Sequence, residues 1–316
     1  MVTLLTRVKA RLSIHARRKV RGLLEGEYTS IFHGRSIDFD DVRQYVPGDS
    51  LADIDWKATA RVGAPMTRRY IASRKHTVLV VADTGRTMAA LADSGERKID
   101  LAIVVAGAFG YLAVRHGDLV GLVAGDRGSL AYRKLESTEA HLERLLQVLL
   151  QRTSLDSAES DLHGALAYVA RSFRKRMILL VLSDDRPTTV AETEVLKRLA
   201  VQHEIFWLTI ADADPTRADW VRDDVFDVSL GAQIPPVLRS SKSLRAQFDL
   251  GSRERIADRQ RMLDGLHIAG TRLTAADDVL ACLYRLLASH RSASHRSASR
   301  RASAMPPARS NAATAP

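Results

Sequence analysis

Two runs of consecutive apolar residues constrain this chain more than anything else in it. Thr77 to Ala82 reads Thr-Val-Leu-Val-Val-Ala and ends at Asp83, and Met177 to Leu182 reads Met-Ile-Leu-Leu-Val-Leu and ends at Ser183-Asp184-Asp185. A strand that is apolar at every position has no wet face, so each run belongs inside a parallel sheet covered by helices on both sides. The flanking segments supply those helices. Apolar spacing predicts them over about Lys98–Arg115, Thr138–Leu150, Asp161–Arg174 and Ala191–His203, with Ser160 or Asp161 as N-cap of the third. His116 and His203 follow helices and are expected to cap their C-terminal ends. Further strands are expected at Leu119–Ala124, Glu204–Ile210 and Val225–Leu230. This alternation of strand and helix is that of an α/β fold, a doubly wound and mostly parallel sheet. Beyond it, Leu238–Leu266 reads as helical, Ile268–Leu273 as an edge strand and Ala275–Ala288 as a closing helix.

The rest of the chain divides around that domain, which spans 76–288. Residues 1–24 place Leu4, Leu5, Val8, Leu12 and Ile14 among basic residues, an amphipathic basic helix by spacing. Such a helix either docks on the body or meets an acidic partner or an anionic membrane surface. Residues 25–75 are rich in turn residues and read as a small strand-and-loop subdomain. Residues 289–316 repeat His-Arg-Ser-Ala-Ser in tandem and have no core-forming residues, the composition of a disordered basic tail.

The net charge of +10 belongs to the two ends. Residues 1–24 and 289–316 hold twelve basic residues and no acid, which leaves 35 basic against 37 acidic residues between them. A nearly neutral body argues against nucleic acid as the specific partner. The single cysteine, Cys282, sits in an apolar run and is expected to be buried; with one thiol there is no disulfide framework and no cysteine-rich metal site. The longest apolar stretch, Leu101 to Val114, is shorter than the roughly 20 residues a membrane span needs. No secretory signal precedes the body. These features together predict a cytoplasmic protein.

One segment fits no ordinary helix, strand or flexible loop. Tyr45 to Arg61 joins a Pro47-Gly48-Asp49 turn signal to apolar anchors, Ile54 and Trp56, set between Asp53, Asp55 and Lys57. It reads as a rigid, charged element that serves either partner recognition or internal support, with Asp55 and Arg61 as a possible ion pair under Trp56. Pro47-Gly48-Asp49 and Asp55-Trp56-Lys57 also imitate the acid and lysine spacing of metal-dependent nucleases, with Gly48 as an interruption.

In doubly wound sheets, ligands bind beyond the carboxyl ends of the strands, where the strand order switches. If the two apolar runs are neighbours, Asp83 and Asp184 face one crevice, to which Thr87 and Ser160 could add hydroxyl oxygens. Oxygen ligands of this kind select Mg²⁺, Mn²⁺ or Ca²⁺ over zinc. The alternative is that these residues are turn and cap formers. The sequence has no Gly-x-x-x-x-Gly-Lys phosphate loop, no Gly-x-Ser-x-Gly elbow and no His-Glu-x-x-His helix, which argues against catalysis.

Gly34, Phe39, Arg43, Tyr45, Pro47-Gly48-Asp49, Ile54-Asp55-Trp56 and Ala60-Arg61, followed by Asp83 to Met88, His116-Gly117-Asp118, Ser160-Asp161 and Leu182-Ser183-Asp184, resemble the domain-of-unknown-function 58 family. The resemblance runs from about Gly26 to Ala288. It implies a von Willebrand factor A-like fold and a non-enzymatic adaptor working with a MoxR-type AAA+ ATPase and an unknown client in complex assembly or chaperone-like maturation. It makes Arg43, Tyr45, Pro47, Gly48, Asp49, Asp55, Trp56 and Arg61 the signature surface, from which Ser50 and Ala52 depart. It also implies a metal-ion-dependent adhesion site of the pattern D-x-S-x-S. Asp83 and Thr87 keep the outer positions, Gly85 replaces the middle hydroxyl, Ser160 stands for the usual threonine and Asp184 supplies the last aspartate. A site so altered either still binds Mg²⁺ or Mn²⁺, or is degenerate with Arg86 as a substitute cation.

Overall fold

The two apolar runs lie side by side at the centre of a six-stranded sheet. In the computed structural model, which describes residues 3–15, 18–29, 31, 41–46, 54–69, 75–215, 225–236 and 240–290, they form β3 (Thr77–Asp83) and β6 (Ile178–Ser183). The chain reaches them through α1 (Leu4–His15), α2 (Arg18–Tyr28), β1 (Asp41–Gln44), α3 (Trp56–Val62) and β2 (Met66–Arg69). After β3 come α4 (Lys98–Arg115), β4 (Leu119–Gly125), β5 (Leu130–Glu136), α5 (Glu139–Arg152) and α6 (Leu162–Ser172). Following β6 are α7 (Val190–Gln202), β7 (Glu204–Ile210), the short strands β8 (Phe226–Asp227) and β9 (Ala232–Gln233), a long helix (Lys242–Gly265) and β10 (Ala269–Leu273). Helix 279–290 closes the described chain.

The strand order is β10-β7-β6-β3-β4-β5, parallel throughout except for β5. Successive residues of β3 feed opposite layers, as a strand's period of two requires. Val78, Val80 and Ala82 pack with α1, α4 and α5, while Leu79 and Val81 pack with α6, α7 and Leu263 of the long helix. Both faces of the central strands β3 and β6 are therefore dry, as the unbroken apolar runs demanded. Asp161 caps α6, accepting from Gly164 N at 3.0 Å. His116 and His203 close α4 and α7, and Cys282 is buried.

One strand was not expected from the sequence, and three expectations need correction. Strand β5 has no apolar run to announce it. It is an antiparallel edge whose residues are mostly wet, joined to β4 by a turn in which Asp126 Oδ1 accepts from Gly128 N and Ser129 N at 2.9 and 2.8 Å. Val225–Leu230 is not a strand of the sheet: Phe226–Asp227 pairs with Ala232–Gln233 in a separate hairpin. The basic segment is two helices, and the second continues to Tyr28. The segment from Tyr45 to Arg61 does contain ordinary helix, from Trp56 onward.

The N-terminal helix docks on the body. Leu5 and Val8 join the core, Val8 seats against Gly107 of α4, and the free N–H groups of Leu4 and Leu5 donate to the Glu143 carboxylate at 3.1 and 2.7 Å. Lys9 and Arg11 pair with Glu139 and Glu96. Tyr28 is fully buried, donating its hydroxyl to Asp118 Oδ2 at 2.7 Å. No described helix is long and apolar enough to cross a membrane.

Candidate functional site

The strand order switches between β3 and β6, because the chain leaves β3 toward β4 on one side and returns to β6 on the other. Their carboxyl ends open the crevice there. Asp83 ends β3 and is 1% exposed; Asp184 follows β6 and is 2% exposed. Asp83 Oδ1 accepts from Gly85 N at 2.8 Å, while Oδ2 is buried without a hydrogen-bond partner among the described residues. Thr87 and Ser160 also meet here, their hydroxyl oxygens 2.6 Å apart. The four residues singled out for the crevice are thus brought together.

Gly85, at the position of the missing middle hydroxyl, has a steric reason to be glycine. A Cβ built on it would lie 2.4 Å from both Cα and N of Ser160, closer than any non-bonded carbon contact. The Ser160 loop fills the space that a side chain at this position would occupy.

The cation facing this crevice is Arg186, which sequence reading passed over. Its Nε lies 3.7 Å from Asp184 Oδ1, and its Nη2 donates to Glu192, which is 1% exposed. Burial works against the Arg186 charge, but the Glu192 hydrogen bond and the charges of Glu192, Asp184 and Asp83 outweigh it and raise its pKa. Arg86, the expected substitute, turns instead to Glu159 at 3.7 Å and donates its backbone N–H to Ala158 O. The helix-capping pattern at Thr189 and Glu192 was the available signal: Glu192 closes a capping box on α7, and the same carboxylate holds Arg186.

A second ionic group supports the loop after β6. Asp185 Oδ1 accepts from Arg259 Nη1 at 2.6 Å, and Oδ2 accepts from Arg272 Nε and Nη2 at 3.0 and 2.9 Å. Arg259 also donates to the carbonyl of Arg186. The long helix and β10 are thereby clamped to the rim of the crevice.

A divalent cation held by Asp83, Thr87, Ser160 and Asp184 would need their lone pairs turned to one point. Here the two hydroxyls bond each other, Asp184 Oδ1 faces Arg186, and Asp83 Oδ2 is buried without a hydrogen-bond partner among the described residues. The described residues include no group of three or more His, Cys, Asp or Glu side chains placed to hold a metal. As arranged, with Arg186 in place, the donor set does not fit a divalent ion.

Burial, and then the neighbouring charge of Asp184, push the Asp83 carboxyl up to about 6, against the Gly85 N–H, the Ser160 hydroxyl and Arg186. Its ordinary value is 3.8. Because the folded pKa is the higher one, the stability linked to this proton is complete below about pH 4 and is lost as pH rises through about 6. The displacement corresponds to about 3 kcal/mol. Asp83→Asn is therefore expected to stabilise the protein by about 2–3 kcal/mol at about pH 8 and by little at about pH 4. Urea unfolding of both proteins at the two values measures this, and a pH-independent difference would contradict it.

The described part of the signature surface is carried by β1, α3 and the turn into β2. Asp55 N-caps α3, its Oδ1 accepting from Lys57 N and Ala58 N, both at 3.0 Å. Gly63 ends the helix with φ of 78°, a left-handed conformation that suits glycine. Thr59 Oγ1 accepts from Met66 N at 2.9 Å and ties the helix to β2, while Tyr45 N donates to Pro65 O at 2.8 Å. Trp56 is 71% exposed and Arg61 is exposed, and among the described residues Asp55 and Arg61 do not form the expected ion pair. Arg43 lies on β1, opposite Thr67 of β2. Pro47, Gly48 and Asp49 lie outside the described residues, as does the 291–316 part of the basic tail.

The family described as "Protein of unknown function DUF58" matches residues 41–255. The uncharacterized protein Rv1480 of Mycobacterium tuberculosis is 27% identical over 287 residues, covering 89% of this chain and 88% of its own. Among solved structures, the conserved hypothetical protein BatB from Bacteroides thetaiotaomicron is similar with a TM-score of 0.44 and 14% identity, over 69% of this chain and 99% of that one. A von Willebrand factor type A protein from Catenulispora acidiphila is similar with a TM-score of 0.37 and 13% identity, over 71% of this chain and 43% of that one.

Proposed function

The chain belongs to the DUF58 family, and from that premise we propose that it is a non-enzymatic adaptor that works with a MoxR-type AAA+ ATPase in assembling or maturing protein complexes, meeting the ATPase through α3. The supporting observation is Trp56. Helix α3 buries none of its residues, yet it is capped at both ends and stapled to β2. A seven-residue helix without a core-facing side gains nothing from core packing, so its capping serves to hold the exposed face in one shape. The helix carries Trp56 at 71% and Val62 at 62% exposure, with Val46 nearby in sequence at 52%. Rigid exposed tryptophan is the side chain most often found at the energetic centre of protein interfaces.

The other readings draw less from the structure. Asp55, the acid a nuclease mechanism would need, spends Oδ1 on two backbone N–H groups. The apolar residues Leu5 and Val8, which a lipid surface would have to receive, are already in the core.

Trp56→Ala is expected to leave unfolding stability within about 0.5 kcal/mol, because most of its side chain is exposed. It is expected to weaken binding to the cognate MoxR-type ATPase by about 30-fold or more. Calorimetry with the purified ATPase and urea titration of the variant give the two readouts. Unchanged affinity would sink the α3 contact, and no binding of the wild type would sink the adaptor role itself.

A further inference from the structure

We propose that Arg186 is the resident cation of the Asp83–Asp184 crevice, occupying by its guanidinium the electrostatic position of a metal ion, and that its removal converts the crevice into a divalent-cation site. Asp83, Asp184 and Glu192 are each buried to within 2% of full exclusion, and Arg186 lies against Asp184 and Glu192, with its charge also acting on Asp83. Among the described residues, the other cations nearby are committed elsewhere: Arg259 and Arg272 hold Asp185, Arg86 holds Glu159, and the buried Lys98 holds Asp212. A buried carboxylate needs a counter-charge or a proton, so the crevice cannot be left without one.

The donors that a small hard cation requires are in place but occupied or idle. Asp83 Oδ2 is buried and unbonded among the described residues, and the Thr87 and Ser160 hydroxyls satisfy one another across 2.6 Å. Those hydroxyls keep lone pairs free while they share a single proton bond. Asp184 Oδ1 has Arg186 Nε at 3.7 Å, a contact that is lost only when the Arg186 side chain is removed. A guanidinium is permanently charged and planar, and here it does without geometry what a divalent ion would do with it.

The test compares wild type, Arg186→Gln and Arg186→Gln/Glu192→Gln, at a pH well above that at which Asp83 ionises. The double variant removes the unpaired Glu192 charge, while glutamine keeps the capping-box geometry on α7. Mn²⁺ binding is read by electron paramagnetic resonance, and thermal unfolding is read with and without Mg²⁺. The expected result is no saturable Mn²⁺ site in the wild type, and one saturable site with a Mg²⁺-dependent rise in midpoint in at least one of the two variants. Adding Asp83→Asn should abolish that site, and Arg86→Gln alone should not create one. A saturable site in the wild type that Asp83→Asn removes would overturn the proposal, since a metal would then displace Arg186. So would Arg186 variants that fold without binding Mn²⁺. If neither Arg186 variant folds, the crevice does not accept removal of Arg186, and the convertible site is likewise overturned.

Discussion

Asp185→Ala should destabilise the protein by about 3–5 kcal/mol, the cost of leaving a buried charge without its partner. Asp185 receives three hydrogen bonds, one from Arg259 and two from Arg272, and the Asp185 and Arg259 side chains are 8% and 7% exposed. Removing the carboxylate strands the Arg259 guanidinium in a space closed by the long helix and the loop after β6. The charge is not the only loss, because Arg259 also donates to the Arg186 carbonyl and fixes the backbone that presents Arg186 to the crevice. Urea denaturation measures the loss as a lowered midpoint at unchanged slope. A companion variant, Asp185→Leu/Arg259→Met, should recover much of it, since apolar residues of similar volume often replace a buried pair without net cost. A single-variant loss below about 1 kcal/mol would show that the clamp contributes little.

The second large effect is expected from Gly85→Ser, the substitution that would restore the middle hydroxyl of the adhesion-site pattern. Its Cβ would sit 2.4 Å from Ser160 Cα and N. These are backbone atoms, so no rotamer change relieves the overlap, and the Ser160 loop must move. Overpacking of this kind typically costs 1–3 kcal/mol, and we expect about 3 here because the obstacle is main chain. Thermal unfolding gives the value directly. Adding Ser160→Gly should not rescue the variant, because it removes the Oγ contact and leaves Cα and N in place. A Gly85→Ser protein as stable as the wild type would show that the loop is free to shift.

How much of this was legible beforehand depended on whether a residue advertises itself locally. The unbroken apolar runs at Thr77–Ala82 and Met177–Leu182 required a sheet covered on both faces, and that is what they form. Asp83, Thr87, Ser160 and Asp184 could be placed together because strand ends in such sheets share one rim. β5 was not legible: an edge strand wet on one face carries no continuous apolar signal, and its hairpin depends on Asp126 bonding its own turn. Arg186 was missed for a different reason. Arginines are common at loop starts, and only the fold brings Glu192 and Asp184 to bear on this one while Arg86, two residues beyond Thr84, is drawn off by Glu159. Arg259 was hidden still more deeply, in a helix whose heavily charged sequence gives no hint that one of its cations is buried.

The docking of α1 also sets a schedule for biosynthesis. Leu4 and Leu5 find their N–H acceptors on Glu143, 138 or more positions later in the chain. At translation rates of about 5–20 residues per second, the ribosome needs roughly 7–30 s to deliver that glutamate after α1 has emerged. Over that interval the apolar stripe of Leu5, Val8 and Leu12 is without its complete seat, since α5 is the last part of it to be made. Helix α1 therefore waits for α4 and α5 to be made before its apolar stripe is covered, and until then the nascent chain carries a sticky segment that holdase chaperones are suited to shield.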